Sequence, residues 1–111
     1  MSVQQDYAVK KMSPADAVGL VSDGDFIIVP TGVGEPPALL TALSEQRLRL
    51  HDVKVSQILA IRKYAYLDPA TVDHVRHVAL FYGAATRAGG QAGWVDFIPN
   101  YFSEIPSLIG R

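Results

Sequence analysis

The chain has 111 residues, about one domain's worth, with 49% hydrophobic residues and a net charge of −1. This composition excludes a disordered chain. Its 10 basic and 11 acidic residues are mixed, leaving no basic stripe for nucleic acid and no basic amphipathic helix for a membrane surface. Cysteine is absent, which excludes disulfides, thiolate nucleophiles and thiolate metal sites, and fits a cytoplasmic protein.

Residues 1–10 read as a polar arm, and Met1 to Asp6 lack the apolar core of a signal peptide. No apolar run approaches the ~20 residues of a membrane span. Ser13-Pro14-Ala15-Asp16 opens a helix, with Ser13 as N-cap, proline in the first turn and a carboxylate near the positive helix end. Ala17, Val18 and Val21 give its apolar stripe, and Asp23-Gly24 ends it, with Gly24 suited to a left-handed position. A first strand, Phe26 to Val29, follows.

A loop with two glycines then leads into a helix starting near Pro36, with Leu39, Leu40 and Leu43 inward and Glu45, Arg47 and Arg49 in solvent. Asp52 closes that helix, and residues 53–60 form a second strand. Strand, helix, strand implies parallel neighbours joined by a right-handed crossover. A short helix is expected from Asp68 to about Val75, a third strand from His77 to Tyr82, and a broken helix or loop over residues 83–93. Trp94 to Ile98 reads as a short fourth strand. The fold class is therefore α/β: an open, mostly parallel sheet flanked by helices, built from residues 11–111. The final residues, Ser107 to Arg111, look like the start of a further element, so the chain reads as a fragment of a longer protein.

The loop Gly32-Val33-Gly34-Glu35-Pro36 is the first candidate site. In an open α/β sheet, ligands bind beyond the carboxyl ends of strands. Glycines let a ligand approach the backbone, and amides at a helix start suit an anion. Pro36 and Pro37 have no N–H, so an anion would depend on the amides of Val33, Gly34 and Glu35. The loop is not a dinucleotide fingerprint, because Pro37 stands where the third glycine belongs, and it lacks a P-loop lysine. The second candidate is Phe102-Ser103-Glu104, inside Pro99 to Pro106, where aromatics, a hydroxyl and a carboxylate could line a pocket or simply pack. His74 and His77 are three apart, but a strand start at His77 breaks the shared face a metal would need, so no metal site is expected. Arg87 could hold an anion or be a solvated helix charge, and Tyr64, Tyr66 and Tyr82 could be core or interface.

Three segments together carry a resemblance: Gly32-Val33-Gly34-Glu35-Pro36 after an apolar strand, Leu80-Phe81-Tyr82-Gly83 followed by Arg87, and residues 96–106. Their order and spacing resemble the N-terminal part of the acetyl-CoA hydrolase/transferase family, of the 4-hydroxybutyrate CoA-transferase type. The likeness runs from about Lys11 to Leu108. It implies an enzyme that moves CoA from an acyl-CoA to a carboxylate acceptor through a glutamyl-CoA thioester. It implies two similar open α/β domains with the site between them, the nucleophile and most CoA contacts being in the second, and a homo-oligomer. Neither Glu35 nor Glu104 matches the family's nucleophile, so no catalytic residue is assigned in this chain. By the resemblance, Gly32, Val33, Gly34, Glu35, Pro36, Phe102, Ser103 and Glu104 face the inter-domain cleft and shape the acyl or carboxylate pocket, with coenzyme A as substrate and no metal. The alternative is a stand-alone domain that self-associates through an open sheet edge or binds a small ligand without catalysis.

Overall fold

The computed structural model describes residues 2–110; Met1 of the predicted arm and Arg111 of the final segment lie outside them. Four parallel strands stand in the order of the sequence: β1 (Phe26–Ile28), β2 (Val53–Gln57), β3 (Val75–Ala79) and β4 (Asp96–Phe97). Val55 pairs with Ile27 on one side and His77 on the other, so these three side chains share a face. With each right-handed crossover adding a strand on the same side, the connections fall on that face. The core forms there from Leu40, Leu43, Leu50, Val53, Val55, Tyr66, Leu67 and Val75.

The helices are α1 (Val3–Lys10), α2 (Pro14–Val18), α3 (Pro37–Gln46), α4 (Arg87–Ala92) and α5 (Ile105–Ile109). The arm holds α1, which has a Ser2–Gln5 capping box and buries no residue. Ser13 caps α2 as expected, accepting from the Asp16 N–H at 3.1 Å. Helix α2 ends at Val18, five residues before Asp23. Ser22 N–H donates to Asp25 and Asp23 accepts from His51 N–H, so short polar side chains take over the turn. Gly24 is left-handed, at φ 80°.

Helix α3 turns Leu40 and Leu43 inward, but Leu39 is exposed. Arg49, expected in solvent, reaches back to the Val18 and Val21 carbonyls, and Gln46 to that of Ala15, which fastens α2 to α3. The helix stops at Gln46, and Asp52 sits in a left-handed turn entering β2 instead of closing α3.

The strands are shorter than the sequence predicts. Proline at 30 has no N–H for the ladder, and beyond Gln57 the Leu59 N–H turns to the Thr31 hydroxyl at 2.8 Å. The third strand starts at Val75, two residues early, because Val53 N–H already pairs with the His74 carbonyl. The expected helix from Asp68 is only a 3-10 turn, Pro69–Thr71, capped by Asp68. Residues 83–93 do contain a helix, α4, which Gly93 ends at φ 89°. Its glycines permit close packing: a Cβ on Gly90 would overlap the Tyr82 ring. Helix α5 begins at Ile105, before Ser107, and lies on the opposite sheet face, where Ile105 and Ile109 line one cleft with Ile28, Ser56 and Leu80.

Candidate active-site cleft

The glycine loop leaves the carboxyl end of β1 as one 3-10 turn, Gly32–Gly34, then enters α3. Gly32 is left-handed at φ 60°, where a side chain would be strained. The loop is tied to the end of β2: Gly32 N–H donates to the Leu59 carbonyl at 3.1 Å, and the Thr31 hydroxyl donates to the same carbonyl at 3.2 Å. The turn consumes two of the three amides expected to serve an anion. Gly34 N–H donates to the Thr31 carbonyl and Glu35 N–H to that of Gly32, both at 3.1 Å. Only the Val33 N–H has no acceptor among the described residues.

Glu35 does not stand free in the cleft. Its Oε2 accepts from the Gln57 side chain at 2.6 Å and the Ile61 N–H at 3.2 Å, and its Oε1 from the Arg62 N–H at 3.4 Å. Burial raises its pKa, but the donors, Gln57 first, outweigh burial and hold it below the usual glutamate value. The carboxylate is thus an ionised brace between the loop and residues 57–62.

Gln57, buried at the inward end of β2, also donates to the Pro30 carbonyl at 3.1 Å. Its Oε1 and the His77 Nε2 are buried without a protein partner. Tyr66 is hydrogen-bonded to His77 Nδ1 at 2.9 Å and held by Ser44, whose hydroxyl accepts the Tyr66 N–H. Burial pushes the His77 pKa down to about 4, against a small upward pull from Glu35, so the ring is neutral at pH 7. Burial also pushes the Tyr66 phenol up, helped by Glu35. A buried polar seam therefore runs beneath the loop.

In front of the loop is a cleft of about 300 Å³, lined by Gly32, Val33, Glu35, Pro37, Ile61, Arg62 and Tyr64. Pro36 does not line it; it is the N-cap residue of α3 and borders an apolar cleft beside Leu39 and Leu40. Phe102, Ser103 and Glu104 form a 3-10 turn beyond β4, and all three are exposed. They do not line the glycine-loop cleft. Their link to it is Ile105, which borders a separate cleft with Pro30 and Thr31. Glu104 is occupied locally, accepting from the Tyr101 N–H at 2.8 Å.

Sequence reasoning missed Gln57, Ile61 and Arg62, and left Tyr64 as core or interface where the structure puts it on the cleft lining. Gln57 had a signal: a polar residue in the inward register of Val53 and Val55. His74 and His77 have different partners, His74 bonding the Leu50 carbonyl and lying tilted against the His51 ring, His77 facing Tyr66. Among the described residues, no group of three or more His, Asp or Glu is placed to hold a metal. No described helix is long and apolar enough to cross a membrane.

Fold and cleft together define an open, parallel α/β domain with a cleft beyond its strand ends. The chain belongs to the acetyl-CoA hydrolase/transferase family: that family's N-terminal domain model matches residues 1–111. It is 34% identical over 108 residues to a succinyl-CoA:cyclohexane-1-carboxylate CoA transferase of Geobacter metallireducens, which covers 97% of this chain and 24% of that protein. It is 30% identical over 108 residues to a 4-hydroxybutyrate coenzyme A transferase of Clostridium kluyveri, covering 97% and 25%. A crystal structure of RipA from Yersinia pestis superposes with a TM-score of 0.82 at 26% identity, covering 97% of this chain and 28% of that one. The chain thus spans about a quarter of the length of the curated relatives it matches.

Proposed function

We propose that this chain is the N-terminal domain of a cytoplasmic, homo-oligomeric CoA-transferase that moves CoA between an acyl-CoA and a short-chain carboxylate. The observation that carries the reading is the family match along the whole chain, at the amino-terminal quarter of relatives with CoA-transferase activity. A glutamate of a C-terminal domain attacks the acyl-CoA carbonyl, giving an acyl-glutamyl anhydride and CoA thiolate. The thiolate attacks the glutamyl carbonyl, releasing the first carboxylate and leaving a glutamyl-CoA thioester. The acceptor carboxylate then attacks this thioester, and the expelled thiolate takes the new acyl group. A carboxylate suits this role because it is regenerated and the thioester keeps the energy of the CoA bond.

In this reading residues 32–36 and 102–104 form the wall facing the second domain and shape the acyl pocket. Supporting it, the loop is fastened to β2 before any ligand arrives, so the wall is preorganised. Glu35 is a brace and not the nucleophile, since its oxygens are occupied by three donors. The test is turnover of acyl-CoA with acetate. The 111-residue chain alone stays at the blank rate, and the same chain joined to a family C-terminal domain turns over. Turnover by the chain alone, or none by the joined protein with any acyl-CoA, overturns the proposal.

A further inference from the structure

Beneath the glycine loop, three buried side chains carry hydrogen-bonding atoms that are only half used. Tyr66, His77 and Gln57 are each 2% exposed. The Tyr66 hydroxyl meets His77 Nδ1 at 2.9 Å and has no second partner among the described residues. On the other side of the ring His77 Nε2 is unpaired, and so is Gln57 Oε1. The register of β2 and β3 sets the two residues diagonally on one face: His77 stands opposite Val55, and Gln57 is the next inward residue of β2. Diagonal neighbours lie about 7–8 Å apart, within reach of long side chains. The Gln57 amide nitrogen is drawn toward β1 by the Pro30 carbonyl at 3.1 Å and toward the loop by Glu35 at 2.6 Å. Its oxygen, on the other arm of the amide, therefore faces away from β1, the side on which β3 lies.

Donor and acceptor counts select the tautomer of the ring. With the proton on Nδ1, the Tyr66 hydroxyl hydrogen has no acceptor among the described residues, and His77 Nε2 and Gln57 Oε1 are two acceptors without a donor. With the proton on Nε2, Tyr66 donates to Nδ1, and the two remaining atoms are one donor and one acceptor, which a single enclosed water can join. We propose that His77 is a positioning residue for the glycine loop: protonated on Nε2, it links the Tyr66 hydroxyl to Gln57 Oε1 and so holds the amide that braces Glu35 and Pro30. Every link then donates in one direction, from Tyr66 through His77 and Gln57 to Glu35, and each bond in such a chain polarises the next. The Gln57 amide cannot swing away from Glu35 without leaving buried polar atoms unpaired, which is costly. Ser44 anchors the far end, its hydroxyl accepting the Tyr66 N–H at 3.1 Å. This deepens the proposed function and rests on it only for the place of the loop at the substrate; the hydrogen-bond chain is a property of these residues alone.

The experiment reads the hydrogen-bond chain and turnover separately. Long-range proton–nitrogen spectra of the His77 ring, taken on the 111-residue chain near neutral pH, are expected to show the proton on Nε2. A ring protonated on Nδ1 overturns the proposal. Tyr66→Phe keeps the aromatic ring and removes only the hydroxyl, which bonds His77 and neither Gln57 nor Glu35. It should nonetheless shift the side-chain amide resonances of Gln57, because the chain ends in that amide; unmoved resonances overturn the proposal. In the joined two-domain protein, His77→Phe should lower kcat/KM about tenfold, the scale of one lost hydrogen bond. His77→Gln, which can still accept from Tyr66 and donate to Gln57, should recover most of that loss. Equal losses in the two variants, or no loss in either, mean a packing role and overturn the proposal. The ring proton of the parent is read without any substitution, so a variant that fails to fold leaves that measurement standing. If the isolated chain gives no dispersed spectrum, the same spectra of the joined protein, labelled only in residues 1–111, decide the matter. Absence of turnover by the joined parent with every acyl-CoA contradicts the transferase reading instead, and leaves the ring proton and the Gln57 amide to judge His77.

Discussion

The two segments expected to face substrate are held in opposite ways. Residues 32–36 are bound at long range: Gln57, Leu59, Ile61 and Arg62, all more than twenty residues away, each bond the loop or the Thr31 before it. Residues 102–104 are held by a local turn and the Glu104 bond to Tyr101, and the nearest long-range polar anchor is Asn100, whose amide donates to the Leu80 carbonyl at 3.2 Å. Tyr101 and Phe102 are 79% and 78% exposed, large aromatic surface that a packing partner would cover. One segment is thus fixed by the sheet, while the other presents apolar surface outward. A wall built before its partner arrives can set geometry; a surface left open can receive the partner.

The largest expected effect lies in the seam beneath the first segment. The folded pKa of His77, about 4, is below its unfolded value, so neutral His77 favours the native state above about pH 6.5. That stability is lost as pH falls from about 6.5 to about 4, by about 3 kcal/mol, because only the unfolded chain takes the proton in this window. Urea midpoints across that range should show the loss, and His77→Gln should flatten it. An equal slope in the variant breaks the contrast between the segments.

Next is Gln57→Leu, which takes the 2.6 Å donor from Glu35 and uncovers the Pro30 carbonyl. It should cost about 2 kcal/mol in denaturant unfolding and raise the Glu35 pKa toward the ordinary glutamate value, as followed by carboxyl carbon NMR. Asp96→Ala removes the carboxylate and with it the two 2.8 Å bonds from Arg76 that pin β4 to β3. The pair is partly exposed and screened, so the loss should be about 1 kcal/mol, read by the same unfolding measurement. The smallest effect is Ser103→Ala, within about 0.5 kcal/mol of the parent, because the side chain is exposed and makes no hydrogen bond among the described residues. A large loss there would mean the second segment is braced like the first.

The sequence made the sheet legible because its strands carry apolar runs flanked by breakers: Phe26 to Val29 ends at Pro30, and Val53 follows the Asp52 turn. The parallel pairing followed from the helix between those strands. Strand ends were less legible, since a ladder stops where its neighbour does, and pairing across β2 and β3 is not local information. Helix α4 was obscured by Gly89 and Gly90, which weaken intrinsic propensity yet are needed for contact with Val95 and Tyr82. In the site, the loop was found by its glycines and prolines. The Glu35 brace was not, because its donors, two of them backbone amides, come from residues 57–62, which only the fold brings to it.

Under the proposed function this domain supplies a pocket wall and the nucleophile lies in a C-terminal domain. The most direct measurement is peptide mass mapping of the joined two-domain protein after incubation with acyl-CoA. A CoA adduct is expected on a glutamate of the C-terminal domain and none within residues 1–111. An adduct on Glu35 or Glu104 would contradict it.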